Sequence, residues 1–167
     1  SITETVMNNG YKGKRYTGGE DIKTAQTHTL NGNLLYSVGD SYYQSGGSSW
    51  TAYKANWTAS DLPVPPAGAT IEKARLYVLY TWDKKSVMPD NVSMSFNGNP
   101  QTLDAHYSDR KGYDSYNYPY GMLVYNVTGA FSTGGNIANL TNSYPGGGNV
   151  SMRGMLLVAV YADESEP

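Results

Sequence analysis

Thr70-Ile71-Glu72-Lys73-Ala74-Arg75-Leu76-Tyr77-Val78-Leu79-Tyr80-Thr81-Trp82 alternates along its second half. Leu76, Val78, Tyr80 and Trp82 fall on one side of an extended chain, and Arg75, Tyr77, Leu79 and Thr81 on the other. Successive side chains of a β-strand point to opposite faces, so a period of two with one strongly apolar set predicts a strand laid against a core. The preceding Leu62-Pro63-Val64-Pro65-Pro66-Ala67-Gly68 cannot join a ladder, because its prolines lack the N–H. It delivers the chain into the strand as a stiff extended connection.

Outward from this stretch the same grammar repeats. Residues 49–60 alternate Thr51, Tyr53, Ala55 and Trp57 against Trp50, Ala52, Lys54 and Asn56, and residues 91–97 alternate Val92, Met94 and Phe96 against hydroxyls. The latter then turn at Asn97-Gly98-Asn99-Pro100. Residues 22–30 and 33–38 flank Asn31-Gly32, a pair suited to a type I′ hairpin because both positions tolerate positive φ. Residues 121–127, 136–141 and 150–161 complete the set. Residues 155–161 are nearly continuous in apolar side chains, which predicts a central strand covered on both faces. The one expected helical turn is 128–132, with Thr128 as its N-cap.

Nineteen glycines and eight prolines punctuate these segments. Eight or so short strands without intervening helices predict an all-β fold, an antiparallel two-sheet β-sandwich of jelly-roll type, with an immunoglobulin-like sandwich as the alternative. A length of 167 residues suits one domain with its own core. Zero cysteines exclude disulfides, cysteine nucleophiles and thiolate metal sites. A net charge of -2 with scattered basic residues argues against nucleic acid as a partner; Lys12, Lys14 and Arg15 form the only notable basic cluster. No apolar run reaches the roughly 18 residues of a membrane span, and no signal-peptide core opens the chain. If the protein is exported, residue 1 is expected to lie near a processed terminus, with any anchor outside this sequence.

Five Asn-X-Ser/Thr triplets, at Asn56, Asn91, Asn126, Asn139 and Asn149, have no proline in the middle and are candidate N-glycan acceptors. Their number points to an extracellular, cell-surface protein. Chemistry is harder to find. His28 and His106 are the two histidines, and neither lies in a nucleophile motif or a His-x-x-x-His metal pattern. Asp104, His106, Asp109, Arg110 and Asp114 crowd one loop-like stretch, where an aspartate could orient His106 as a base; turn formation and ion pairing account for the same residues. No catalytic residue is assigned and no cofactor is required. Calcium is the metal that the oxygen-rich composition favours, with Asp104, Asp109 and Asp114 as one candidate loop site and Asp83 with Asp90 as another.

Sixteen tyrosines exceed what one core can use. Phenols give flat apolar area with a polar tip, which suits subunit interfaces and stacking on sugar rings. Tyr42, Tyr43, Trp50, Trp57, Tyr113, Tyr116 and Tyr118 are therefore the candidate interface or glycan contacts.

Residues 66–82, from Pro66-Ala67-Gly68-Ala69 through Leu79-Tyr80-Thr81-Trp82, resemble the signature strand of an uncharacterised domain family found in secreted and surface-layer-type proteins of methanogenic archaea. Phe96-Asn97-Gly98, Tyr107-Ser108-Asp109-Arg110-Lys111-Gly112, Tyr125-Asn126-Val127-Thr128-Gly129 and Gly154-Met155-Leu156-Leu157-Val158-Ala159-Val160-Tyr161 fit the same family, which covers residues 62–161 and the first third of the chain poorly. Members usually carry Asp where Asn126 stands and continue beyond the last strand, so a truncated or processed form is expected here. The resemblance implies a place and an architecture and brings no catalytic residues. Two functions follow as expectations. One is a non-enzymatic structural module that self-associates into a surface layer, sheath or fibre. The other is a carbohydrate-binding or adhesion module that recognises polysaccharide.

Overall fold

The alternation at residues 70–82 becomes the middle of a β-sheet in the computed structural model, which describes residues 27, 31–110, 112 and 114–163. The strands among them are β1 (Gly32–Ser37), β2 (Ala52–Thr58), β3 (Thr70–Thr81), β4 (Val92–Phe96), β5 (Asn99–Gln101), β6 (Leu103–Asp109), β7 (Tyr120–Asn126), β8 (Gly135–Asn142) and β9 (Ser151–Ala162). They form a five-stranded sheet of order β1-β9-β3-β7-β6 and a four-stranded sheet of order β2-β8-β4-β5. Every pairing is antiparallel.

The order decides between the two sandwiches. β1 pairs with β9, β2 with β8, β3 with β7 and β4 with β5, as if one long hairpin had been rolled up so that its arms alternate between sheets. This nesting is the jelly roll, with β6 added beside β7. An immunoglobulin-like sandwich would pair the first two strands in one sheet, and here they lie in different sheets.

Inward positions on β3 are Ala74, Leu76, Val78 and Tyr80, each nearly inaccessible. They face Tyr53, Ala55 and Trp57 of β2, Met94 and Phe96 of β4, and Ala138 and Leu140 of β8, all in one core cluster. Trp82 does not continue the series, because β3 ends at Thr81. As expected, β9 is central, between β1 and β3, and Met155, Leu157 and Ala159 fill its inner side; the expected cover on its other face is missing among the described residues, where Leu156, Val158 and Val160 are only part-buried. A side chain at Gly148 would run into Val87, so the turn packs closely at that residue.

Three expectations are corrected. Residues 99–109, read as turn and loop, form β5 and β6, whose pairing with β4 and β7 overrides their turn-forming composition. At 128–132 the backbone makes a turn in which Ala130 and Phe131 N–H groups bond to the Val127 carbonyl; the Thr128 hydroxyl is engaged by Ala74 N–H and Asn126 instead of capping a helix. Trp50 and Trp57, expected as surface contacts, are core residues 5% and 2% exposed. Their indole N–H groups donate to the carbonyls of Val150 (2.8 Å) and Ser37 (2.9 Å), so the ring is buried without stranding its donor. The predicted strand at 22–30 lies outside the described residues.

The two outer faces differ in kind. On the four-stranded sheet, register places Lys54, Asn56, Ser93, Ser95, Asn139 and Thr141 outward around Ile137. On the five-stranded sheet the outward set is Leu34, Tyr36, Tyr77, Leu79, Tyr107, Met122, Val124, Leu156, Val158 and Val160, with Lys73 and Arg75 among them.

Trp57→Ala is expected to lower unfolding free energy by about 3–5 kcal/mol, as for other large aromatic truncations in a core. Urea unfolding followed by tyrosine and tryptophan fluorescence measures it, and a loss under about 1 kcal/mol would contradict a core role.

Candidate functional site

Alternation stops at the end of β3, and there the aromatic surface begins. Trp82 has φ 59°, a left-handed conformation uncommon for a bulky residue. Its ring meets Tyr116 edge-on at 5.5 Å between centroids and Tyr118 at 6.1 Å. Lys84 Nζ lies 5.7 Å from the Trp82 centroid and 5.3 Å from that of Tyr118, within cation–π range of both. Tyr116 is 53% exposed.

Two pins hold this cluster. Asp83 is buried at 3% exposure, and its carboxylate accepts hydrogen bonds from the N–H groups of Val87 (2.7 Å) and Met88 (3.0 Å). Val87 and Met88 are themselves core residues, so Lys84, Lys85 and Ser86 form a short exposed tip between fixed points. Asp83 N–H also donates to the Pro119 carbonyl (3.0 Å), tying the tip to the segment that carries Tyr116 and Tyr118. That segment is braced in turn by Arg110, whose Nε and Nη2 donate to the Asn117 side-chain and main-chain oxygens at 2.9 and 2.8 Å.

Across β3, on the β9 side, a second aromatic–cation pair stands. The β3–β9 register shifts between Leu79 and Tyr80, leaving Arg153 as the extra residue of a bulge. Arg153 Nε donates to Thr81 Oγ1 (2.8 Å), and its guanidinium lies 4.5 Å from the Tyr43 ring centroid. Hydrogen bonds with Ser151 and Ser45, aided by the Arg153 charge, hold the exposed Tyr43 phenol below its ordinary range.

The remaining sequence-predicted residues disperse. Tyr42 is half-exposed, with its ring 4.9 Å from that of Tyr53 and its carbonyl accepting the Tyr53 hydroxyl. Burial pushes that hydroxyl up to about 12. Tyr113 lies outside the described residues. Asp104 sits on β6 and pairs with Arg75 at 2.9 Å. Asp109 and Asp114 accept the N–H of Arg110 and Ser115 respectively, each the next residue along the chain. Among the described residues no three His, Asp or Glu side chains come together to hold a metal ion. Of the sequons, Asn56, Asn126 and Asn149 are exposed, whereas Asn91 and Asn139 are half-buried, and the Asn139 side-chain oxygen is enclosed without a hydrogen bond. Trp82, Lys84 and Arg153 went unsuspected in the sequence. A tryptophan followed directly by Asp-Lys-Lys at a strand end was the available signal.

Asp104 does not orient His106 in this arrangement. Its Nε2 lies 2.6 Å from the Tyr80 hydroxyl on the inner side of β6, with Asp104 turned to the outer face. No helix among the described residues is long and apolar enough to cross a membrane.

Residues 11–167 match the family described as "Protein of unknown function (DUF3344)", and the chain belongs to that family. No curated protein matches the chain. Among solved structures it is similar to BpGH86A, a beta-porphyranase of glycoside hydrolase family 86 from the human gut bacterium Bacteroides plebeius. The TM-score is 0.51 at 21% identity, over 86% of this chain and 23% of that one. The likeness is one of fold, and the chain spans under a quarter of that protein's length.

Burial holds the His106 imidazole below its ordinary 6.5, against smaller opposing effects of Asp83 and Asp90. The unfolded chain therefore takes up this proton first as pH falls, so stability declines from about pH 6.5 downward until the folded imidazole also titrates. Thermal melts across that range should show the decline in the parent protein and a flatter profile in His106→Gln; identical slopes would remove His106 as its cause.

Proposed function

We propose that this member of the family is an extracellular, non-enzymatic module that binds carbohydrate through Trp82, Tyr116 and Tyr118. One observation carries the reading: three aromatic rings cluster outside the core, on loops pinned by Asp83 and by Arg110 with Asn117. Aromatic faces offer apolar area to the C–H faces of sugar rings, and prior pinning reduces the ordering cost of binding. A sandwich of similar fold inside a beta-porphyranase is in keeping with work on carbohydrate, though in this chain it is the aromatic cluster that supports the assignment. Exposed sequons at Asn56, Asn126 and Asn149 support a cell-surface location. No reaction is placed on the chain, since His106 engages Tyr80, Asp104 pairs with Arg75 and Asp109 accepts the Arg110 N–H.

A second reading, self-assembly into a surface layer, sheath or fibre, rests on a different surface. The outer face of the five-stranded sheet carries Tyr36, Leu34 and Leu79 at 68%, 46% and 41% exposure, beside Leu156, Val158 and Val160. A second copy of the chain applied to this face would cover them, while the four-stranded sheet, with Asn56 and Asn139, stayed outward; Asn126, at the end of β7, would lie on the covered sheet.

Retention on a panel of insoluble polysaccharides tests the first reading. Trp82→Ala should weaken binding about tenfold, the worth of one aromatic contact, without lowering the melting temperature by more than a few degrees. Unchanged retention by that variant would refute the platform. Light scattering tests the second: a concentration-dependent oligomer that Tyr36→Glu dissociates supports assembly, and a monomer at all concentrations refutes it.

A further inference from the structure

We infer that the end of β3 is a two-point site for an acidic polysaccharide, with Lys84 and Arg153 meeting its carboxylate or sulfate groups. The inference rests on the carbohydrate reading and adds the charge of the ligand.

Each aromatic surface at this end is paired with a cation. On the β7 side Lys84 stands over Trp82 and Tyr118; on the β9 side Arg153 stands over Tyr43. Neither cation has a carboxylate partner among the described residues. Arg153 spends Nε on the neutral Thr81 hydroxyl, which fixes the guanidinium while leaving its other donors for a ligand. The adjacent carboxylate, Asp83, is withdrawn from the surface and bonded to two backbone N–H groups, so a ligand meets Lys84 and the exposed Lys85 directly, with the Asp83 charge offsetting them only in part. Asp109 and Asp114, on the Tyr116 side, each accept a backbone N–H, and Arg110 lies between them in sequence. A surface that is weakly acidic in total, at net charge -2, thus turns locally cationic where its aromatic rings are exposed.

Spacing selects a polymer over a single sugar. Tyr43 precedes the Gln44 bridge to β9, and Tyr116 and Tyr118 lead into β7 on the other side of β3, so the outer tyrosines of the two surfaces are separated by about two strand spacings, about 10 Å. A chain of two or three sugars spans that distance and can set one ring on Trp82 and the next acidic group against Arg153. Arrangement in a bulge is what aims Arg153 out of the ladder toward such a ligand.

The test is affinity electrophoresis and titration calorimetry on the full chain, with polygalacturonate and a sulfated galactan, each beside its neutral counterpart, the methyl-esterified or desulfated polymer. Binding should favour at least one acidic form over its neutral one and weaken as salt rises from 50 to 500 mM, with the choice between the two polymers telling carboxylate from sulfate. Lys84→Gln and Arg153→Gln should each lower affinity up to about fivefold, and Lys84→Arg should restore it, with melting curves confirming the fold. Equal binding of acidic and neutral forms, still lost in Trp82→Ala, would overturn the acidic ligand and leave the carbohydrate reading standing. Absence of binding to every polymer would overturn both.

Discussion

The β3–β9 ladder is the constraint on which the molecule depends. Two strands of twelve residues each pair from Thr70 with Ala162 to Thr81 with Ser151, and every other strand of the five-stranded sheet attaches to one side or the other of that pair. The inner side chains of the two strands, Ala74, Leu76, Val78 and Tyr80 with Met152, Met155, Leu157 and Ala159, supply eight of the 23 buried residues of the core cluster among the described residues. Without cysteines, this hydrogen-bonded and apolar pairing does the holding that disulfides do in many small domains.

The bulge in this ladder couples the fold to the surface chemistry. A continuous register would leave Arg153 in the ordinary alternation of β9; one extra residue frees it to reach Thr81 and Tyr43. A few residues away, Trp82 leaves the ladder by a left-handed turn, and the buried Asp83 captures the backbone that follows. Rigid strands thus end in side chains that point away from the core, and the order of those ends comes from the sheet.

Strand interiors were legible in the sequence: burial on one face imposes a period of two, by which the segments holding β2, β3 and β4 were read, and most of β9 stood out by its nearly continuous apolar run. Trp57 shows that the signal was richer than the use made of it, since it alternates in step with Tyr53 and Ala55 and so belonged to the core face. Edges were less legible. β5 and β6 are rich in Asn, Pro, Asp and Ser, and what makes them strands is the neighbour each one pairs with, which no local pattern records. The aromatic cluster was legible in half. Tyr116 and Tyr118 stood out by composition, whereas continued alternation assigned Trp82 to the interior, and contacts between residues far apart in sequence, such as that of Asp83 with Pro119, bring the two segments together.

The nested pairing also gives the molecule two poles. β1 begins and β9 ends side by side, Gly32 opposite Ala162, with the Asp163 N–H bonded to the Asn31 carbonyl at 2.7 Å. Thr70 lies at this same pole, while Trp82 lies at the other, the length of a twelve-residue strand away, about 35 Å. Entry and exit of the sandwich therefore share one corner, and the tryptophan crowns the opposite one. Held by that corner on a stalk or between neighbours in a longer polypeptide, the sandwich would present its aromatic crown outward, at full reach from whatever tethers it.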